Sequence, residues 1–431
     1  MLAILGVLAG CGGPSVVREP GSARPAPTGT GTASGSTSKV DPARLLNGDW
    51  PGTDNRSSAA AAAPSPGSAP GASDDRRADT VGRQVLARER ARWVAAEWNE
   101  LPGWGQDRAL EWWPALLRGC ERPMPGWTAL CTQAQRLRPS DDWDAYVWLM
   151  KRLRPYRVES PEGERDGLAT GYYEPQLEAR RQALGDFRVP LLAPPQDLAQ
   201  RRPYDTRQQI ESNTRLSRLS LAWVQDPLDA LVMQIQGSGR LRVTESDGSS
   251  RWVRLSFAGH NEQPYRSMGQ WLIAQGELKA TEASWPGIKE WARRNPQKLK
   301  EAMWANPRYV FFREEPLSDP AVGPRGGQGV PLTPGRSIAV DKASIPYGTP
   351  VWLDTTEPLS TTPMRRLVMA QDTGAAITGA VRADFFWGWG DQAEQQAGRM
   401  KQPLRLWVLW PRETASASAA TGSATTGLSA P

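Results

Sequence analysis

Three aspartates in the C-terminal third of this 431-residue chain, Asp341, Asp372 and Asp384, are the groups best suited to chemistry. Asp341 follows Ile338-Ala339-Val340, and Asp372 closes the apolar run 367–370. Asp384 sits between small residues and Phe385-Phe386-Trp387. A carboxyl among apolar neighbours resists ionisation and can hold a proton near neutral pH, which a general acid requires. Each lies at the end of a strand-like run, so the three are expected to point from a barrel end into one cleft. Aspartates at strand ends also cap turns; three of them in a Trp-rich neighbourhood favour the chemical reading.

Other chemistries are harder to assemble. The chain has one histidine, His260, and no Cys-x-x-Cys pair, so a zinc hydrolase site lacks ligands. A Ser-His-Asp or Cys-His arrangement would depend on that single ring, which has no orienting partner nearby in sequence. We expect His260 to be structural, and no cofactor. The run Gln234-Ile235-Gln236-Gly237-Ser238-Gly239-Arg240 lacks both the Gly-x-Ser-x-Gly of a nucleophile elbow and the Lys-Ser/Thr of a phosphate loop. It reads as a tight turn whose glycines allow close backbone approach. In Tyr172-Tyr173 the two rings fall on opposite strand faces, one toward a groove and the other toward the core.

The elements that must position these residues can be read from periodicity. Residues 83–156 carry apolar positions at helical spacing: Val85, Leu86, Trp93, Val94 and Trp98, then Leu110, Trp113 and Leu116-Leu117. Pro139-Ser140-Asp141-Asp142 reads as a helix cap ahead of Trp143, Tyr146, Leu149 and Leu153. Beyond Asp166-Gly167, short apolar runs at 168–173, 228–235, 252–257, 308–312, 337–340, 350–353, 367–370 and 404–409 are split by Gly, Pro and Asp. That texture predicts strands of a β-barrel rather than a parallel sheet. Helical interludes are expected at 265–276 and 287–304.

Residues 1–10 are an apolar run ending Leu8-Ala9-Gly10-Cys11. Small residues before a cysteine mark a lipoprotein-type secretory signal, too short to span a bilayer. Cys11 would become the lipidated mature N-terminus, and Gly12 suits an outer-membrane destination. Residues 12–82 and 413–431, rich in Gly, Pro, Ala, Ser and Thr, cannot bury enough apolar surface to order themselves and read as a tether and a tail. In an exported chain, Cys120 and Cys131 are permitted to form a disulfide. Net charge is +6, with 52 Lys+Arg mixed among 46 Asp+Glu; with no long basic run, nucleic acid is a poor partner. Tryptophan is the commonest aromatic, at 20 copies. Its rings stack well on sugars, but core packing accounts for most of them.

Five long motifs add a resemblance. They are Gly171-Tyr172-Tyr173-Glu174-Pro175; Gln236-Gly237-Ser238-Gly239-Arg240; residues 309–314 (Tyr-Val-Phe-Phe-Arg-Glu); residues 331–341 (Pro-Leu-Thr-Pro-Gly-Arg-Ser-Ile-Ala-Val-Asp); and residues 370–374 (Ala-Gln-Asp-Thr-Gly) with 382–388 (Arg-Ala-Asp-Phe-Phe-Trp-Gly). Together, and over residues 101–411, the chain resembles the MltA-type lytic murein transglycosylases. The resemblance implies a mainly β fold with N-terminal helices: a double-psi β-barrel domain and an inserted β-rich domain, separated by a large groove. By position, residues 83–177 plus 317–412 would form the barrel and 178–316 the insert.

The resemblance further implies cleavage of the β-1,4 bond between N-acetylmuramic acid and N-acetylglucosamine, giving 1,6-anhydro products. Asp384 would be the catalyst, supported by Asp372 and Asp341. Tyr173, Glu174, Gln236, Ser238 and Arg240 would contact glycan. Glycan strands and the outer-membrane lipid anchor are the expected partners, with cell-wall synthesis or division proteins as candidates. Two positions depart from the family pattern: Ala375 stands where a second Gly is expected, and Asn261-Glu262-Gln263-Pro264 replaces Asn-Gly-His-Pro. Two rival readings remain at this stage. One is a hydrolytic glycosidase with Asp372 or Glu174 activating water; the other is a non-catalytic glycan-binding lipoprotein.

Overall fold

The computed structural model describes residues 82–412. The apolar leader, Cys11, the tether and the tail lie outside the described residues.

The strands in chain order are β1 Val85–Ala87, β2 Arg92–Ala95, β3 Leu153–Glu159, β4 Gly167–Glu174, β5 Gln176–Arg180, β6 Val189–Leu192, β7 Ser220–Val224, β8 Ser238–Thr244, β9 Ser250–His260, β10 Val310–Pro316, β11 Ser337–Val340, β12 Thr349–Thr356, β13 Pro363–Asp372, β14 Arg382–Trp389 and β15 Lys401–Pro411. The helices are α1 Ala109–Gly119, α2 Thr128–Arg136, α3 Asp142–Arg152, α4 Arg207–Ser212, α5 Pro227–Gln236, α6 Met268–Ala274, α7 Trp285–Arg294, α8 Leu299–Trp304 and α9 Asp391–Arg399.

Six strands close a ring in the order β15-β12-β13-β11-β14-β4, with β4 pairing back onto β15. Closure leaves no free edge among these six. Two of the pairings are parallel, β11 with β13 and β14 with β4. Alternate residues of each strand fill the interior: Ile338, Val340, Val351, Leu353, Val368, Ala383, Phe385, Leu406 and Val408 are all fully or nearly fully buried there. The outer face of β12, β13 and β15 carries Trp352, Leu367, Met369 and Trp407, which pack under α1, α2 and α3 with Trp112, Trp113 and Trp148. Cys120, just past α1, and Cys131 in α2 are disulfide-bonded and join those helices.

A second sheet of six strands, ordered β10-β9-β8-β5-β7-β6, is built from residues between Gln176 and Pro316. β4 and β5 are separated by Pro175 alone, where the chain leaves one sheet for the other. Helices α5 to α8 gather around Leu228, Leu231, Leu272, Ile288 and Trp291 to form a separate helical core beside this sheet.

Two sequence expectations are corrected. Val85, Leu86, Trp93 and Val94 lie in the hairpin β1–β2, which extends the ring through β3; burial of Trp93 and Val94 against both faces imitates helical spacing. Residues 228–235, expected as a strand, are the centre of α5. Asp226 caps it by accepting from Leu228 N, Pro227 opens it, and Gly237 ends it at φ +84°. A continuous apolar run is ambiguous by period; here the caps decide. Asp141 does cap α3, accepting from Asp144 N.

Candidate active site

The site is organised around Ala339 on β11. In register, Ala339 is opposite Asp372 of β13 on one side and Asp384 of β14 on the other. Asp384 is in turn opposite Thr170 of β4. Residues directly opposed across strands share a face, so the two carboxyls and the threonine lie in one row. That face is the outside of the ring, since Ala383 and Phe385 fill the interior. The methyl group of Ala339 leaves the row open. Tyr172, Phe386, Leu332 and Ile377 pack around it as an apolar cluster.

Each carboxyl has a distinct set of partners. Thr170 donates from Oγ1 to Asp384 Oδ1 at 2.5 Å, and Arg382 Nη2 donates to the same threonine oxygen at 2.8 Å. Burial raises the Asp384 pKa above its ordinary value; the Thr170 hydrogen bond and the positive charge of Arg382 oppose that rise. Asp372 accepts from the Tyr172 hydroxyl and from Gly327 N, both at 2.8 Å. Burial pushes its carboxyl up to about 6; the hydrogen bonds from Thr373, Tyr172 and Gly327 oppose the shift, and the Asp384 charge adds to it. Tyr172 is held well above its usual range, first by burial and then by Asp372 and Asp384. Both aspartates are half-buried, reachable by a ligand yet poorly solvated.

The third aspartate is not part of this row. Asp341 is buried at the end of β11, where it accepts from Ala343 N at 3.0 Å, Gly379 N at 2.9 Å and Arg90 Nη1 at 3.1 Å. It lies two residues beyond Ala339 in sequence and ties the loop before β14 to the β1–β2 hairpin.

The expected glycan contacts divide sharply. Glu174 is fully buried, clamped by Arg240 Nε at 2.7 Å and Arg254 Nε at 2.6 Å. Arg240 also donates to the Pro320 and Val322 carbonyls and lies 3.6 Å over the Trp389 ring. Neither side chain has surface left for a sugar; they join β4 to β8 and β9. Tyr173 is buried against Val232, Ala393 and Ala397, and its backbone N donates to Gln236 Oε1 at 3.0 Å. The ring that faces the aspartates is Tyr172. Gln236 stays partly exposed at the end of α5, while Ser238 is buried.

Thr170 and Arg382 were missed at the sequence level. The available signal was period two: Thr170 and Tyr172 share a face of β4, as Arg382 and Asp384 do on β14. Gly171 between them is required, because a Cβ there would lie 2.7 Å from Trp387 Nε1. His260 accepts from Glu262 N at its Nδ1, 2.9 Å away, and burial lowers its pKa. Glu262 has φ +56°, a left-handed conformation that glycine adopts without steric cost. Its Oε1 lies 3.2 Å from Arg202 Nη1.

Comparison with known proteins bears on both sheets. A family profile described as the MltA specific insert domain matches residues 168–313, and a 3D domain profile matches residues 336–410. The membrane-bound lytic murein transglycosylase A of Escherichia coli K12 is 32% identical over 260 residues, 59% of this chain and 68% of the relative. Its namesake in Vibrio cholerae is 30% identical over 257 residues, covering 57% and 67%. Among solved structures, the lytic transglycosylase LtgG of Burkholderia pseudomallei is 44% identical, covering 77% of this chain and 98% of that one, with a TM-score of 0.54. MltA from Neisseria gonorrhoeae is 31% identical, covering 77% and 95%, with a TM-score of 0.66. A mainly β architecture of two sheets, a 3D domain carrying the two carboxyls and this level of identity place the chain in the MltA family of lytic murein transglycosylases.

Proposed function

We propose that this protein cleaves the β-1,4 bond between N-acetylmuramic acid and N-acetylglucosamine in peptidoglycan without consuming water, with Asp384 as its single acid and base. The observation that carries the reading is Asp384 itself: half-buried, raised in pKa by that burial, and oriented by Thr170. Protonated, it donates to the glycosidic oxygen as the bond to C1 breaks, and that oxygen leaves as the 4-hydroxyl of the glucosamine. The resulting carboxylate accepts the proton of the muramoyl 6-hydroxyl, whose oxygen closes on C1. The anhydro ring forms and Asp384 is protonated again. A nucleophile within the same sugar has high effective concentration and needs no second carboxylate to hold water. Asp372 polarises the site beside it, and Asp341 supports the loop that precedes β14.

We read the six-stranded ring as the double-psi barrel, and the space between it and the second sheet as the glycan groove, with Gln236 on its rim. Lipidated at Cys11, the chain would stand on the periplasmic face of the outer membrane; palmitate incorporation that is lost in Cys11→Ala tests this.

Mass spectrometry of fragments released from purified sacculi tests the chemistry. Anhydro ends, lighter by one water than reducing ends, support the proposal. The one observation favouring hydrolysis is Asp372, whose pKa near 6 suits a base for water; release of reducing ends would establish that reading instead.

A further inference from the structure

Outside the catalytic row, a cavity of about 170 Å³ opens where the helices of the second sheet meet α9 of the ring. That is room for on the order of ten waters, the scale of a sugar residue rather than of a packing defect. Tyr265, Met268, Ser284, Trp285, Asn306 and Gly398 contribute to its lining, and no Asp, Glu, Lys or Arg does. Aromatic rings and neutral polar groups without charge are the chemistry of a neutral, partly apolar ligand.

Asn306 points to the kind of polar group that ligand carries. The residue is 3% exposed. Its Oδ1 accepts from Arg266 N at 3.2 Å and Arg308 N at 3.3 Å, which settles which end of the amide is oxygen. The Nδ2 end hydrogen-bonds to no described residue and is not among the sealed, unpartnered buried atoms. A donor that opens into the cavity in this way is matched by an acceptor on a ligand, such as an amide carbonyl. Ser284 Oγ accepts from Gly287 N as the cap of α7, and its hydroxyl proton is free to donate.

The location fits a second binding site rather than the reacting one. Trp285 packs against the cluster of Tyr173, Val232, Ala393 and Ala397, so α9 stands between the cavity and β4, which carries Thr170 and Tyr172. Resting on the proposed function, we infer that this cavity binds an N-acetylated, uncharged hexosamine unit of the glycan away from the cleaved bond. The Asn306 amide would receive the acetamido carbonyl, and Trp285 would face the sugar.

Gly398 supplies the test, because a Cβ added there meets nothing within 4 Å. Gly398→Leu fills the cavity without touching the catalytic row. Calorimetry with N-acetylglucosamine tetramer should show affinity falling about tenfold in that variant, alongside a shift of the Met268 methyl resonance on titration of the wild type. Asn306→Asp keeps the acceptor for the two backbone N–H groups and removes the donor; it should weaken the N-acetylated tetramer similarly. Equal affinities in wild type and Gly398→Leu, with Met268 unmoved, overturn the inference. Binding is read without cleavage, so failure of the proposed reaction leaves this result interpretable. Conversely, loss of the site should raise the KM for anhydro-product release and leave kcat unchanged.

Discussion

One strand, β4, supplies two carboxyl-centred clusters built on opposite plans. At its end, Glu174 is buried between two guanidiniums, and each of its oxygens is engaged by cations. Four residues earlier, Thr170 faces Asp384, and Tyr172 reaches Asp372; the partners there are hydroxyls and an apolar cluster. Cations around a buried carboxylate make a structural joint, because removing either partner leaves an uncompensated charge. Hydroxyls and low polarity leave a carboxyl free to hold and release a proton. The contrast teaches that partners, more than burial, separate a structural acid from a chemical one.

The largest effect that would break this comparison is expected at Asp384. Asp384→Asn should lower the rate of anhydro-product release by about 10⁴, roughly 5.5 kcal/mol of activation energy, with a melting temperature close to wild type. A variant that turns over normally would remove Asp384 from the chemistry.

Glu174→Gln should do the reverse. It leaves Arg240 and Arg254 buried without their counter-charge, so a stability loss of about 3–5 kcal/mol is expected by denaturant titration. Whatever protein remains folded should keep its rate per molecule.

Asp372 sharpens the picture through pH. Its folded pKa of about 6 lies above the ordinary 3.8, so the fold favours its protonated form. The sign follows: that relative stabilisation is complete below about pH 4 and is lost as pH rises through 6, a change of up to about 3 kcal/mol. Asp372→Asn should remove this step from the stability–pH curve. A step of unchanged size would assign it to another group.

Smaller effects come from the neighbours. Arg382 lowers the Asp384 pKa, so Arg382→Gln should move the alkaline limb of kcat/KM to higher pH, because the acid form is the active one. Tyr172→Phe removes a hydrogen bond that lowers the Asp372 pKa. Its expected cost is about three- to tenfold in rate, with the Asp372 titration displaced upward.

Much of the site was legible in the sequence because it is local. Asp372 and Asp384 each end or interrupt a strand-like run, and apolar neighbours in sequence announced their poor solvation. The strands of the ring were legible for the same reason, their alternation being imposed by one buried face. The run 228–235 was misread because it is buried on several sides and so loses any period. The β1–β2 hairpin was misread because its pairing partner, β3, lies some sixty residues away.

The amino-acid order alone determined the residue types available for acid–base work, the short strands, the capped helix α3 and the two cysteines that the fold joins. Tertiary structure decided which side chains meet. Ring closure sets Ala339 between Asp372 and Asp384; the crossing at Pro175 delivers Glu174 to Arg240 and Arg254 rather than to solvent. These outcomes depend on register between strands distant along the chain. A one-residue slip reverses every face, and local sequence carries no record of that choice.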